Sequence, residues 1–141
     1  MQHKLHHFLS LMIAVVWIIN GLVCKVMNMV PRHEHIVANI LGKDYARLLT
    51  VGIGLLEIAM AVWVLSGIWS RFNAIIQIIF IATMNTIEFL VVPGLLLWGK
   101  VNAVFAFLFI LIIYYNEFHL KKYLSVRSQY VQLFKKSPIR C

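Results

Sequence analysis

The sequence predicts an all-α integral membrane protein, a four-helix bundle with its N and C termini both cytoplasmic. Three observations lead there. Of 141 residues, 62% are hydrophobic and only 13% charged, with a mean hydropathy of +0.85. Soluble domains sit near half apolar and a quarter charged, so a soluble core of this size cannot hide the excess. The apolar residues also gather into four runs, each near the roughly 20 residues that cross a hydrocarbon layer at about 1.5 Å per residue. Finally, the bases are unevenly placed: Lys121, Lys122, Arg127, Lys135, Lys136 and Arg140, six of thirteen, fall in the last 21 positions.

The first span covers about residues 8–30. Lys4 followed by an apolar stretch resembles a signal peptide, but no small-residue cleavage site follows, so the run is expected to remain as an uncleaved span. A short helix over about 31–41 comes next, with Pro31 in its first turn and Gly42 at its C-terminal cap. Ile36, Val37, Ile40 and Leu41 share one apolar face, which predicts a helix lying along the outer surface. The second, third and fourth spans cover about 48–69, 72–92 and 101–118. Pro93 and Gly94 end the third, and Trp98 with Lys100 forms an interfacial anchor before the fourth. Residues 1–118 thus form the spanning domain, and 119–141 a basic cytoplasmic tail.

Orientation follows from lysine and arginine placement. An even number of spans puts both termini on one side, together with Lys4, Arg71 and the six tail bases. The other side holds Arg32, Lys43, Arg47 and Lys100. The excess places the termini inside. The net charge of +8 would suit a nucleic-acid binder if it were spread over a globular face. Here it flanks a span, which predicts attachment to anionic membrane lipids and no nucleic-acid partner.

Three charges lie inside the spans: Lys25, Glu57 and Glu88. Such a residue costs about 2.5–3.5 kcal/mol at a helix centre even on lenient insertion scales, and it persists where it faces the bundle interior, pairs, or serves a site. Helical side chains lean toward their own N-terminus. Lys25 and Glu88 therefore lean inward from roughly 6–8 Å below the outer surface, and Glu57 leans outward from roughly 15 Å. All three converge on one level. Asn20 lies near Lys25, Gly54 lies one turn from Glu57, and Gln77, Ile81, Asn85 and Glu88 share a face of the third span. A polar pocket built from Asn20, Lys25, Glu57, Asn85 and Glu88 is the candidate ligand-binding site. The competing reading makes them structural: Lys25 snorkels toward Glu88, and Glu57 bonds to Asn20 or Asn85 as glue between helices.

Other chemistry lacks support. His33 and His35 are two apart, diverge by about 200° on a helix and cannot chelate one metal together; they read as surface histidines. Cys24 and Cys141 form no ligand-spaced or redox pair, and Cys24 suits a small apolar position. No nucleophile–base pair and no phosphate loop appear, so an independent enzyme is not expected and no catalytic residue is assigned.

The stretch Val16-Trp17-Ile18-Ile19-Asn20-Gly21-Leu22-Val23-Cys24-Lys25 resembles the W-x-x-x-G-L-x-x-K signature of DoxX-like membrane proteins. Pro31-Arg32-His33-Glu34-His35-Ile36-Val37 and Gly54-Leu55-Leu56-Glu57 are similar to that family too, over roughly residues 10–118. Cys24 stands where relatives often carry proline. The resemblance implies a four-helix membrane fold and marks Lys25 and Glu57 as family features, without a catalytic role. Some relatives are subunits of quinone-linked oxidoreductases. The expectation is therefore a multi-pass protein of the bacterial inner membrane, a non-catalytic subunit whose pocket takes a lipophilic ligand such as quinone, with a redox partner protein or further copies of itself beside it. A small oligomeric transporter or channel protomer, and a structural assembly factor, are the alternatives.

Overall fold

The computed structural model describes residues 2–91, 94 and 101–136; most of these are helical, and no strand lies among them. Helix α1 (Gln2–Ile18) runs without a break into a π-helical segment, Ile19–Val26. A turn through Asn28, at φ 54°, leads to α2 (Arg32–Leu41). Helices α3 (Ala46–Ser66) and α4 (Ser70–Val91) follow. Helix α5 (Val101–Tyr114) passes through a second π segment, Tyr115–Leu120, into α6 (Lys121–Lys136). Among the described residues, four helices are long and apolar enough to cross a membrane: Gln2–Val26, Ala46–Ser66, Ser70–Val91 and Val101–Gln132.

The helices differ from the expected spans at their ends. The first three begin earlier than expected, and the fourth continues past residue 118 because α5, the π segment and α6 form one rod. The expected anchor Trp98–Lys100 lies outside the described residues. Pro31 does precede the first turn of α2, and Gly42, at φ 99°, closes it by donating its amide to the Ala38 carbonyl at 3.1 Å. The tight turn between α3 and α4 needs Gly67 at φ 66° and holds Trp69 at φ 46°, a left-handed conformation uncommon for a bulky residue.

The core is built from small residues and aromatics. Ala14 and Ala61 are fully buried, with Ala74, Ile13, Ile81 and Ile113 beside them. These alanines let the helices approach closely where apolar burial alone gives no drive in lipid. Trp17 fills the centre, its ring 5.8 Å from that of Phe80 and 6.3 Å from that of Phe109. The outer surface of the helices carries exposed Phe8, Leu11, Leu55, Leu56, Ile79, Val104, Phe107 and Leu108, as a lipid-facing bundle requires. The two ends of the chain's bundle meet at one face: His6 Nδ1 lies 2.9 Å from Asn116 Oδ1, and Asn116 Nδ2 donates to Ser10 Oγ at 3.0 Å. Helix α2 caps the opposite face by packing on α3 and the first π segment. Ile36 and Val37 are buried in that contact, so its apolar face is spent on protein and only Leu41 looks outward.

Candidate functional site

The site begins with two glycines. Gly21 in the first π segment and Gly54 in α3 cross backbone to backbone. A Cβ at Gly21 would sit 2.5 Å from the Gly54 carbonyl oxygen and 2.9 Å from Glu57 Cβ; one at Gly54 would sit 2.7 Å from the Gly21 carbonyl. Real Cβ atoms do not reach such distances, so only glycine permits this crossing. One turn beyond each glycine stand Lys25 and Glu57. The crossing sets them face to face, and Lys25 Nζ donates to both Glu57 oxygens at 2.8 Å. The side chains are 9% and 5% exposed. An ammonium has three protons, so one remains beyond the two that Glu57 accepts.

The surroundings hold the pair in place. Arg47, at the start of α3, donates to the carbonyls of Lys25 at 2.9 Å and Val26 at 2.7 Å, which satisfies the open C-terminal end of the π segment. Glu34 of α2 lies 3.9 Å from Arg47 and accepts from Asn28 Nδ2 at 3.3 Å. Glu88 stands half-buried within electrostatic reach of Lys25 and Arg32, and makes no ion pair within 4 Å among the described residues. Arg32 Nε and Asn28 Oδ1 are buried without a hydrogen-bond partner among the described residues. His33 is drawn in as well. Burial, then the charges of Lys25 and Arg32, push its pKa down to about 4.

Of the five residues expected from sequence, the structure brings Lys25 and Glu57 into contact and sets Glu88 beside them. Lys25 points at Glu57 and not outward to Glu88, because the glycine crossing leaves the carboxylate within its reach. Asn20 is half-buried and no hydrogen bond joins it to the pair. Asn85 donates to the Ile81 carbonyl at 3.0 Å and accepts from Asn102 at 3.0 Å, which ties α4 to α5 instead. Gln77 belongs to a separate buried network in which Trp17 Nε1 donates to its Oε1 at 2.7 Å while its amide donates to Asn73.

Sequence reasoning missed Arg32, His33 and Arg47. His33 was expected at the surface, but 33, 36, 37 and 40 lie on one helical stripe, and Ile36 and Val37 of that stripe are buried. The histidine follows them inward, while His35 faces outward. A second charged group, at the termini end, was also missed. Ser70 Oγ donates to Glu117 Oε1 at 2.6 Å, Lys121 Nζ lies 3.3 Å from the same oxygen, and Lys121 also donates to Ser70. The four-residue spacing of Glu117 and Lys121 was the available signal. Among the described residues no group of three or more histidine, cysteine or acidic side chains could hold a metal.

The chain belongs to the DoxX-like family, whose family model matches residues 14–115. That stretch contains the glycine crossing, the Lys25–Glu57 pair and α2, and it stops short of α6. No curated protein and no solved structure matches the chain significantly.

Proposed function

We propose that this protein is a non-catalytic membrane subunit that holds the polar head of a lipophilic ligand, such as a quinone, in the charged cluster under α2. One observation carries the reading: the buried pair Lys25–Glu57, whose ammonium keeps one proton free, and the buried, unsatisfied Arg32 Nε both lie within electrostatic reach of Glu88. Buried polar atoms without partners are rare and call for an explanation. A carbonyl oxygen of the ligand would accept from Arg32 Nε and from the third proton of Lys25, and Glu88 would accept from a ligand hydroxyl. Asn20 and Asn85 remain candidates for the wall of the site and not for its polar head contacts. A bound quinone would supply reversible two-electron, two-proton chemistry. The chain's own residues bind and orient, so electrons would come from a redox partner protein.

We further infer the orientation and place. Lys4, Arg71 and the bases of α6 share the termini end, which the positive-inside bias assigns to the cytoplasm of a bacterial inner membrane. Of the bases at the other end, Arg47 is engaged with the π segment and Arg32 lies within reach of Glu88.

The test is native mass spectrometry of the full chain in lipid nanodiscs loaded with ubiquinone. The wild type is expected to retain one quinone. Arg32→Gln and Glu88→Gln should lose it while keeping the wild-type melting temperature, since neither touches the pair. Absence of any retained quinone, or retention unaffected by both substitutions, would discard the ligand reading and leave the cluster as a structural lock for a larger assembly.

A further inference from the structure

We infer that the termini end carries a second, independent site, a specific seat for the phosphate of an anionic phospholipid between the α3–α4 turn and the start of α6. The place is a cavity of about 450 Å³ lined by Ser70, Arg71, Glu117, Lys121, Lys122 and Trp69, among others. Three of these side chains are cationic and one is anionic. The anion is already engaged: Glu117 accepts from Ser70 at 2.6 Å and lies 3.3 Å from Lys121. Arg71 and Lys122 have no ion-pair partner among the described residues. The cavity therefore presents two free cations around a neutralised base, the arrangement that captures an anion.

The rim decides which anion. Trp69 and Phe72 line the cavity, and both are largely exposed. Leu65, at the end of α3, and Ile68, in the turn, are exposed too. Trp63 Nε1 donates to the Ile68 carbonyl at 2.7 Å, which fixes this turn against the end of α3. Exposed indole and phenyl rings beside bases mark the level of lipid headgroups. A phosphate seated between Arg71 and Lys122 would leave its acyl chains running down the apolar surface of α3 and α4. A soluble phosphate would gain nothing from that rim. The basic residues are not a diffuse field here, because the fourth span and α6 are one rod: its second π segment delivers Glu117 inward and Lys121 and Lys122 to the cavity wall.

The experiment uses the full chain in phosphatidylcholine nanodiscs containing phosphatidylglycerol, with the phospholipid retained after gentle delipidation counted by native mass spectrometry. The double substitution Arg71→Gln/Lys122→Gln is compared with Lys4→Gln/Arg127→Gln, which removes the same charge from the same end but outside the cavity. Two bases near an anionic headgroup are each worth about a factor of five, so the first double variant should lose its preference for phosphatidylglycerol roughly thirtyfold. The second should keep most of it. Equal losses in the two variants, or no wild-type preference over phosphatidylcholine, would overturn the site in favour of general surface attraction. Inorganic phosphate alone is the third arm: if it raises the melting temperature as much as phosphatidylglycerol does, the phospholipid assignment fails. The substituted side chains Arg71 and Lys122 are exposed, so folding is not at stake in the first variant.

Discussion

Removing either member of the Lys25–Glu57 pair should be far more costly than removing both. The pair is bidentate at 2.8 Å and its side chains are less than a tenth exposed. Taking away one partner leaves a buried charge without a counter-charge, which costs about 3–5 kcal/mol. The membrane insertion cost of a lone central charge, about 2.5–3.5 kcal/mol, agrees in size. Lys25→Met and Glu57→Leu keep side-chain volume nearly constant, so packing loss adds little. Each single variant is expected to lose about 3 kcal/mol of unfolding free energy. The double variant should lose no more than either single one, because two apolar chains of matching volume can replace a buried ion pair at little net cost. The coupling energy is then about 3 kcal/mol, at the upper end for contacting residues. Reversible unfolding in mixed dodecylmaltoside–SDS micelles, read by helical circular dichroism, measures all four corners of the cycle. Additivity of the two single losses to within about 0.5 kcal/mol would refute the reasoning, since it would mean that the two charges do not depend on each other in the folded bundle.

Two further predictions concern the same end. Gly21→Ala and Gly54→Ala each place a methyl group against backbone at 2.5 and 2.7 Å, so both should destabilise by about 1–3 kcal/mol and weaken the Lys25–Glu57 coupling, whereas Gly52→Ala, with nothing within 4 Å, should be neutral or stabilise by up to about 1 kcal/mol. The His33 imidazole, held near a pKa of about 4 against an ordinary value of 6.5, is neutral in the folded protein across that interval. The unfolded chain binds the extra proton there, so stability should rise with pH through the window and be lost as pH falls from about 6.5 toward 4. Melting temperatures at pH 7, 5.5 and 4.5 should show this decline, and His33→Asn should flatten its share of it.

The sequence disclosed the fold through features that act locally. Four apolar runs, Pro31 and Gly42 were enough to find the spans and α2, because a helix in lipid must satisfy its own backbone and a cap needs a particular residue. Lys25 and Glu57 were legible for the same reason: a charge in an apolar run must find company, and the opposite lean of two antiparallel helices brought them level. What could not be read is how each helix is rotated. Asn85 shares a sequence stripe with Glu88, yet it turns to Asn102, since half-buried amides bond to whichever neighbour lies nearest. Gln77 on that stripe is taken by Trp17. Arg47 looked like a loop base, because its partners are two carbonyls, and carbonyls leave no mark in a sequence.

The first π segment is the clearest case of a feature that sequence cannot show, and it makes a sharp prediction. In an α-helix each residue turns by about 100°, so Lys25, eight residues after Trp17, would lie about 80° off the stripe of Trp17. Both residues are nevertheless buried, at 7% and 3% exposure. The wider turn of residues 19–26 rotates each residue by less than the α value, and that brings Lys25 back toward the core. The segment therefore behaves as one extra residue carried within an otherwise α-helical span. Deleting Leu22, which faces outward, should let the helix relax to α geometry with Lys25 seven residues after Trp17, about 20° from its stripe, and still opposite Glu57. Deleting Leu56, also outward-facing, from the regular helix α3 should instead swing Glu57 about 100° away from Lys25. The first deletion should retain most of the Lys25–Glu57 coupling, and the second should abolish it along with much of the folded yield. If loss of Leu22 proves as damaging as loss of Leu56, the π turn is needed for itself and not as a means of aiming the lysine. The cluster under α2 would then depend on the widened backbone, and the search for its ligand would turn to the carbonyls that Arg47 now holds.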